Sequence, residues 1–234
     1  MSRLTTLQML TTLAILAMTA APATGTAQPT YVPGNFGSGE KTLAELIEFP
    51  EMRGDVSVAI YCIGVLTSKG KLDKHGCFRR DPGDETFGAA IYKAADKARL
   101  QPATYNGKPV SVIFQYRVLF IQKGEDKTLR FVANPGYAEN VEAYGHDHIA
   151  AQRLYDGERW QKACPKQASF TVLARANVDY DGTPAAASVE HIQGLVITER
   201  CQQAIIDAIL ASRFIPAMDD GEPVPSTFVQ RFGN

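Results

Sequence analysis

The sequence predicts an α+β fold made of two tandem β-β-α-β units, each a three-stranded antiparallel sheet with one helix on a face, joined by a partly helical linker. The main observation is a phrase that occurs twice, RLQPATYNGKPVSVIF at 99–114 and RFIPAMDDGEPVPSTF at 213–228. A hairpin pattern and then a helical pattern precede each copy, and an alternating apolar segment follows it. One helix on one sheet is the simplest arrangement that buries the apolar faces of both.

Residues 1–27 have the pattern of a cleaved signal peptide. Arg3 precedes an apolar run from Leu7 to about Ala21, and the small residues that follow favour cleavage after Ala27. The run is short for a membrane span, which needs about 20 residues, although an uncleaved N-terminal anchor stays open as the alternative. The Gly- and Pro-rich stretch that follows predicts an irregular segment over 28–48.

The first unit is predicted over 49–123. Apolar residues alternate from Val56 to Leu66, and Lys69-Gly70 then turns the chain back as a hairpin. A helix follows, with Asp84 as the expected N-cap and with Ala90, Ile91 and Ala94 on its buried face. It ends before Pro102, because proline disfavours the α conformation in the preceding residue. The last strand of the unit is predicted from Val110 to Ile121.

Residues 124–163 belong to neither unit and are predicted to form the partly helical linker, with a helix from Asn140 to Tyr155. The second unit is predicted over 164–234. Its hairpin begins with alternating apolar residues from Phe170 to Val178 and turns at Asp181-Gly182. Thr198 is expected to cap the start of its helix. The buried helix face is expected to consist of Ile205, Ala208 and Ile209.

The cysteines predict two disulfides, because an exported protein folds in an oxidising compartment. Four cysteines allow three connectivities, and metal binding near His75 is the rival interpretation, although the sequence has no CxxC pair. Cys62 and Cys77 are equally distant from the Lys69-Gly70 turn, so they should lie opposite each other. Opposed Cα atoms about 4.5 to 5.5 Å apart suit a disulfide. Cys164 and Cys201 remain as the second pair.

Composition and motifs argue against several functional classes. A net charge of −1 gives no general attraction to nucleic acid or anionic membranes. The sequence has no catalytic signature of the common hydrolase, metalloprotease or phosphate-binding types. The cluster His146-Asp147-His148 is interpreted as polar surface, and Asp219 and Asp220 as turn formers. We therefore expect a protein that is not an enzyme and has no cofactor and no metal.

The order of these motifs resembles the C-terminal domain of TonB-family proteins. The residues that carry the resemblance in the first unit are Phe49-Pro50, Gly54-Asp55-Val56, the turn at Gly70 and the phrase from Arg99. The second unit is similar through Gly182-Thr183-Pro184, Cys201 and the phrase from Arg213. The resemblance implies a periplasmic module that grips an extended peptide by strand addition. The implied partners are envelope proteins or peptides, such as an outer-membrane receptor.

The last strand of the first unit is expected to be the peptide-binding edge, because a strand after the helix can lie at the edge of its sheet. Ser111, Ile113, Gln115 and Arg117 alternate opposite the core-facing residues of this strand, and we expect them to meet a partner peptide or the second unit. One alternative is a purely structural pseudo-dimer whose sheet edges pair with each other. Another is a hydrolase of unrecognised type.

Overall fold

A computed structural model describes residues 29–78, 85–157, 159–165 and 169–233. The predicted signal peptide and the expected N-cap Asp84 lie outside these residues. The described residues form a mixed α+β fold with antiparallel sheets and four α-helices, which confirms the predicted α+β class. No helix among them is long and apolar enough to cross a bilayer.

The elements follow one another in an order that alternates hairpins with single helices. In chain order they are β1 (Tyr31–Val32), α1 (Leu43–Leu46), β2 (Val56–Leu66), β3 (Leu72–Phe78), α2 (Glu85–Ala95), β4 (Ala103–Tyr105), β5 (Lys108–Val110), β6 (Val112–Lys123), β7 (Asp126–Val132), α3 (Ala138–Tyr144), β8 (Gln152–Arg153), a 3-10 helix (Arg159–Lys162), β9 (Phe170–Val178), β10 (Pro184–Gly194), α4 (Glu199–Leu210), β11 (Phe214–Ile215), β12 (Ala217–Asp219), β13 (Glu222–Val224) and β14 (Ser226–Gly233).

The first large sheet has the strand order β3–β2–β6–β7, and α2 packs on one of its faces. Alternate residues of β2 and β6 point at the helix, as the period of two along a strand requires. The helix contributes Phe87, Ile91 and Ala94, which are almost fully buried. The buried strand residues of this core are Ile60, Cys62, Phe114, Tyr116, Val118 and Phe120.

The second large sheet has the order β10–β9–β14, and α4 packs on it. Thr198 caps α4, because its side chain accepts a hydrogen bond from the Cys201 N–H, as the sequence predicts. Ile205 and Ile209 are fully buried, whereas Ala208 is only partly buried at the margin of the core. The strand residues beneath them are Phe170, Val172, Ala174, Ala176 and Phe228.

Each repeated phrase forms a tight hairpin, β4–β5 in the first copy and β12–β13 in the second. Both turns place a non-glycine residue in the left-handed region, with φ 51° at Asn106 and φ 48° at Asp220, and each is followed by a glycine with positive φ. Two successive positive φ values define the turn that matches the twist of a hairpin. The Asn-Gly and Asp-Gly turns of the sequence are therefore confirmed.

Two predictions for the linker are wrong. Residues 126–132, assigned to the linker, form β7 and extend the first sheet to four strands, because a turn at Gly124 folds them back onto β6. The sequence predicts a helix from Asn140 to Tyr155, but the helix found there, α3, ends at Tyr144. It ends because Gly145 adopts φ 76°. After a bend at His146 and Asp147, the chain is extended from Ile149.

The extended segment Ile149–Tyr155 joins the two halves of the molecule. On one side it pairs with the second phrase through Ile149↔Met218 and β8↔β11. On the other side Leu154 bridges to Val112, and the Tyr155 N–H donates to the carbonyl of Ser111 at 2.8 Å. Ile215 and Met218 consequently lie in the core of the first sheet.

The cysteines pair as predicted, Cys62 with Cys77 and Cys164 with Cys201. Cys62 lies directly opposite Cys77, with their Cα atoms 4.0 Å apart. Next to the turn, however, Leu66 lies opposite Leu72. If this register continued along the hairpin, the two cysteines would not lie opposite each other. An extra residue in β3, at Lys74 with φ 46°, shifts the register and brings them together. Two disulfides indicate an oxidising compartment outside the cytoplasm.

The burial of α4 predicts the effect of truncating its core face. Replacing Ile205 by Ala should lower the free energy of unfolding by about 2 to 5 kcal/mol, because a fully buried side chain leaves a cavity. Leu210, 41% exposed on the same helix, is the matched control, and Leu210→Ala should stay within about 0.5 kcal/mol. Urea denaturation of both variants measures the difference. Equal values for the two positions would contradict this orientation of α4.

Peptide mapping without reduction tests the disulfides. Digestion of the oxidised protein should release two linked species, one joining Cys62 to Cys77 and one joining Cys164 to Cys201. Mass spectrometry before and after reduction identifies both. A species linking Cys62 to Cys164 would contradict the register of the first hairpin.

Candidate strand-addition edges

The four residues predicted to line a binding edge all have contacts within the chain. Ser111 lies just before β6, and its Oγ accepts a hydrogen bond from the Ser68 N–H at 3.1 Å. Ile113 and Gln115 are each 3% exposed, and Gln115 Oε1 accepts from the Tyr61 hydroxyl at 2.6 Å. Arg117 donates to the side chain and the carbonyl of Asn134 at 2.8 and 3.3 Å.

The strand that carries these residues is not the edge strand that the sequence predicts. β7 pairs with β6 from Arg117 to Lys123, on the side opposite β2. Nearer its start, the same side of β6 is covered by Leu154 and Tyr155. The reason is that β7 and the segment after α3 supply strand partners from a region whose sequence pattern predicts a helical linker.

The outer edge of β14 is covered by α3 at its start, around Thr227. Asn140 Oδ1 accepts from the Thr227 N–H at 3.0 Å, and its Nδ2 donates to the Thr227 carbonyl at 2.8 Å. The Tyr144 hydroxyl donates to the carbonyl of Pro225 at 2.6 Å. One carboxamide therefore takes the place that a residue of a neighbouring strand would occupy.

The edges of the first sheet are obstructed by other means. On β3, the Cys77 N–H donates to the Tyr92 hydroxyl at 2.9 Å, and the bulge at Lys74 bends the strand. The other edge strand, β7, carries Lys127 and Arg130 among its seven residues, and Arg130 pairs with Asp147. Bulges and charged side chains are the usual means by which edge strands avoid pairing.

The edge of β10 is the least protected of those described. Its eleven residues, PAAASVEHIQG, contain no Lys or Arg, and Glu190 is the only carboxylate. Within the strand, Ala185, Ala186, Ser188, Glu190 and every residue from His191 to Gly194 are exposed. Two bulges, at Ala186 and Ile192, interrupt its pairing with β9 and leave the regular stretch Ala187–His191 between them.

The register shows which main-chain groups of β10 face outward. Thr227 turns its N–H and carbonyl away from β9, toward Asn140, so its opposite residue Asn177 must direct its own groups to β10. The direction of the main-chain groups alternates along β9, so Ala176, Ala174 and Val172 direct their groups to β14. The β10 residues opposite them therefore direct their own groups away from β9. On β10 those residues are Ala187, Val189 and His191. Among the described hydrogen bonds, none satisfies these outward groups.

The sequence of β10 does not stand out as a binding edge, because its small residues give only a weak alternating pattern. The available signal was the absence of basic residues over eleven positions of a predicted hairpin strand. That signal becomes informative only when the strand order is known, since an uncharged strand in the middle of a sheet is ordinary.

The one group of metal-type ligands among the described residues contains Cys62, His75 and Cys77, whose ligand atoms lie within 4.8 Å of one another. Both sulfur atoms form the disulfide in this structure, so they are not available as thiolates. His75 Nε2 lies 2.5 Å from the hydroxyl of Tyr116. Burial lowers the pKa of His75 to about 4, so the ring is neutral at neutral pH.

The cluster His146-Asp147-His148 is only partly the polar surface that the sequence predicts. Asp147 is exposed and pairs with Arg130 at 2.6 Å. His148, in contrast, is 3% exposed, because the chain after Gly145 turns inward, and its Nδ1 lies 2.7 Å from the carbonyl of that glycine. Asp219 and Asp220 lie in the β12–β13 hairpin, as expected of turn formers.

Comparison with known proteins identifies no relative. No family model matches the chain, and neither a curated protein nor a solved structure matches it. The residues and their geometry are therefore the basis for a functional assignment.

The closure of β14 by Asn140 can be tested directly. Replacing Asn140 by Ala should speed amide hydrogen exchange at Thr227 and lower the free energy of unfolding by about 1 to 3 kcal/mol, because two main-chain groups lose their partners. Asn140→Asp is the matched control, since it keeps the acceptor for the N–H and loses only the donor. Exchange at Thr227 that is unchanged in the Ala variant would show that α3 does not protect this edge.

Proposed function

We propose that this protein is a periplasmic, TonB C-terminal-like module that binds an extended segment of an envelope protein by β-strand addition, without enzymatic activity. The observation that carries the proposal is the open edge of β10. The proposal differs from the sequence-based expectation in one respect: the binding edge is β10 and not β6. The partner is a protein or peptide of the cell envelope, such as an outer-membrane receptor.

Two tandem β-β-α-β units are part of the proposal, and matching strand orders support them. The order β3–β2–β6 has β2 in the middle, and β10–β9–β14 has β9 in the same place. In both, the helix follows the hairpin and the phrase follows the helix. The first unit differs by the added strand β7.

Matching backbone irregularities support the repeat more strongly than the strand order. Lys74 and Ala186 both lie four residues after the turn glycine, both adopt positive φ and both create a bulge. A β-bulge with a left-handed non-glycine residue is uncommon, since such a φ is unfavourable for most side chains. Its occurrence at equivalent positions is therefore difficult to attribute to chance.

The turn glycines also match in detail. The carbonyl of Gly70 accepts from the Leu100 N–H at 2.9 Å, and the carbonyl of Gly182 accepts from the Phe214 N–H at 3.2 Å. At both glycines φ is positive, and a Cβ would collide with the carbonyl oxygen of the residue that donates. Each hairpin turn is thus bound to the start of its own phrase, and this shared contact supports the proposal of a common unit.

Strand addition suits the β10 edge because the added peptide would gain main-chain hydrogen bonds from Ala187, Val189 and His191. The disulfides are consistent with the oxidising periplasm, and the N-terminal pattern with export to it. The polar residues that sequence analysis considered for chemistry have structural partners instead, such as Arg130 for Asp147. These observations support binding over catalysis.

A second candidate function is a structural envelope protein without a peptide ligand. It is favoured by the internal covering of edges: the chain's own segments cover β6, and α3 covers the start of β14. The two large sheets do not pair edge to edge, as this alternative had supposed, and the segment Ile149–Tyr155 joins them instead. This candidate predicts that β10 meets no foreign strand.

Site-specific photo-crosslinking distinguishes the two candidates. A photoreactive amino acid at Ser188, exposed beside the edge, should form discrete adducts with envelope proteins in cells. Val189→Pro should abolish them, because proline removes an outward donor without breaking a bond to β9. Leu129→Pro on β7 is the matched control, since its main-chain groups also face away from the sheet, and it should leave the adducts intact.

Circular dichroism of both proline variants must first show the wild-type fold. Adducts that persist in a folded Val189→Pro protein would contradict binding at β10. The absence of any envelope adduct from Ser188 would favour the structural candidate.

A further inference from the structure

The regular part of the β10 edge is symmetric about Val189. The two bulges lie three residues to either side of it, at Ala186 and Ile192. Between them, the outward main-chain groups belong to Ala187, Val189 and His191. These residues are spaced symmetrically about Val189, so the pattern is the same in either chain direction. A foreign peptide does not require this symmetry, whereas a two-fold axis does.

We propose that a second copy of this chain pairs with β10 in the absence of another partner, forming an antiparallel two-fold dimer centred on Val189. In this register Val189 lies opposite the partner's Val189, and Ala187 lies opposite the partner's His191. Every outward N–H and carbonyl of the regular stretch then has a main-chain partner. Such self-complementary contacts are the rule for two-fold dimers.

The exposed apolar side chains at the two ends of β10 fit this arrangement. Tyr180, 54% exposed, precedes the strand. Ile192 lies near its end, and Leu195 and Val196, 49% and 73% exposed, follow it. Antiparallel pairing places the end of β10 in one copy beside the start of β10 in the other. The apolar residues after the strand therefore come next to the partner's Tyr180, and two exposed patches cover each other.

The charges of the edge are compatible with the same register. Glu190 lies opposite the partner's Ser188, not opposite another carboxylate, so no like charges face each other across the axis. Its own charge is balanced within the chain, since Arg175 donates to Glu190 at 3.2 Å. The edge has no Lys or Arg, the basic residues that often prevent self-pairing, and Glu190 is its only carboxylate.

The pairing has a consequence for the function proposed above, and this part rests on that function. The dimer occupies the same main-chain groups that an envelope peptide would use. Peptide binding therefore requires dissociation of the dimer, and its apparent affinity should fall as the protein concentration rises. Self-pairing itself does not depend on whether such a peptide exists.

Sedimentation equilibrium of the purified mature chain tests the proposal. Wild type should shift from the mass of one chain to that of two as its concentration rises. Val189→Pro should remain at the mass of one chain throughout, and Leu129→Pro should behave as wild type. A wild-type protein that stays monomeric up to its solubility limit would overturn the proposal, as would a dimer unaffected by Val189→Pro.

Engineered cysteines test the register without relying on a proline. The Ser188→Cys and Glu190→Cys side chains should face each other across the axis, at the roughly 4.5 Å Cα separation of a non-hydrogen-bonded pair, within the range of about 4.4 to 6.8 Å for disulfides. An equimolar mixture of the two variants should form an intermolecular disulfide on mild oxidation. Each variant alone is the control and should link far less.

Non-reducing peptide mapping identifies the linked residues and verifies both native disulfides. Linkage as strong in each single variant as in the mixture would refute the register. The dimer test uses purified protein and the envelope test uses adducts of a different mass in cells, so the failure of one proposal is distinguishable from the failure of the other.

Discussion

The main constraint on this structure is the extended segment Ile149–Tyr155, which is bonded to both halves of the chain. It pairs with the second phrase along Ile149–Leu154 and reaches the start of β6 at Val112 and Ser111. Gln152 adds a third attachment, because its carboxamide bonds both main-chain groups of Gly34, at 2.7 and 2.8 Å. The three bonded segments are far apart in sequence, so the two cores are held together by backbone pairing as well as by apolar contact.

Carboxamide side chains satisfy main-chain groups at several positions where a strand ends. Gln152 does this for Gly34, and Asn140 does it for Thr227. Asn134 is fully buried. Its Oδ1 accepts a hydrogen bond from Arg117, and its Nδ2 donates to the carbonyls of His146 and His148. Because an unpaired buried polar group costs about 1 to 3 kcal/mol, these contacts stabilise the ends of both sheets. They also determine which edges remain for a partner.

The two halves use different means to close equivalent edges. Beside β6 the chain supplies a strand, β7, whereas beside β14 it supplies a helix with one asparagine. On the opposite side of the second sheet, the edge strand β10 has no comparable cover among the described residues.

The sequence by itself determined the local structure of this protein. Alternation identified the first strand of each hairpin, helical periodicity identified Ile205 and Ile209 as core residues, and Asn-Gly and Asp-Gly specified the phrase turns. These features depend on neighbouring residues, so their signals are contiguous in the chain. The disulfide pairs followed from them once the compartment was inferred, although the bulge at Lys74 that aligns Cys62 with Cys77 was not foreseen.

Only the tertiary structure decided which strand edges are open. The pairing of β7 with β6, and that of Asn140 with Thr227, depends on main-chain groups that every residue carries, so residue type gives almost no signal for it. The outward orientation of Val189 depends on the parity of hydrogen bonding across three strands, which a single strand cannot reveal. Side-chain patterns specify what is buried, whereas the free backbone edge is a property of the assembled sheet.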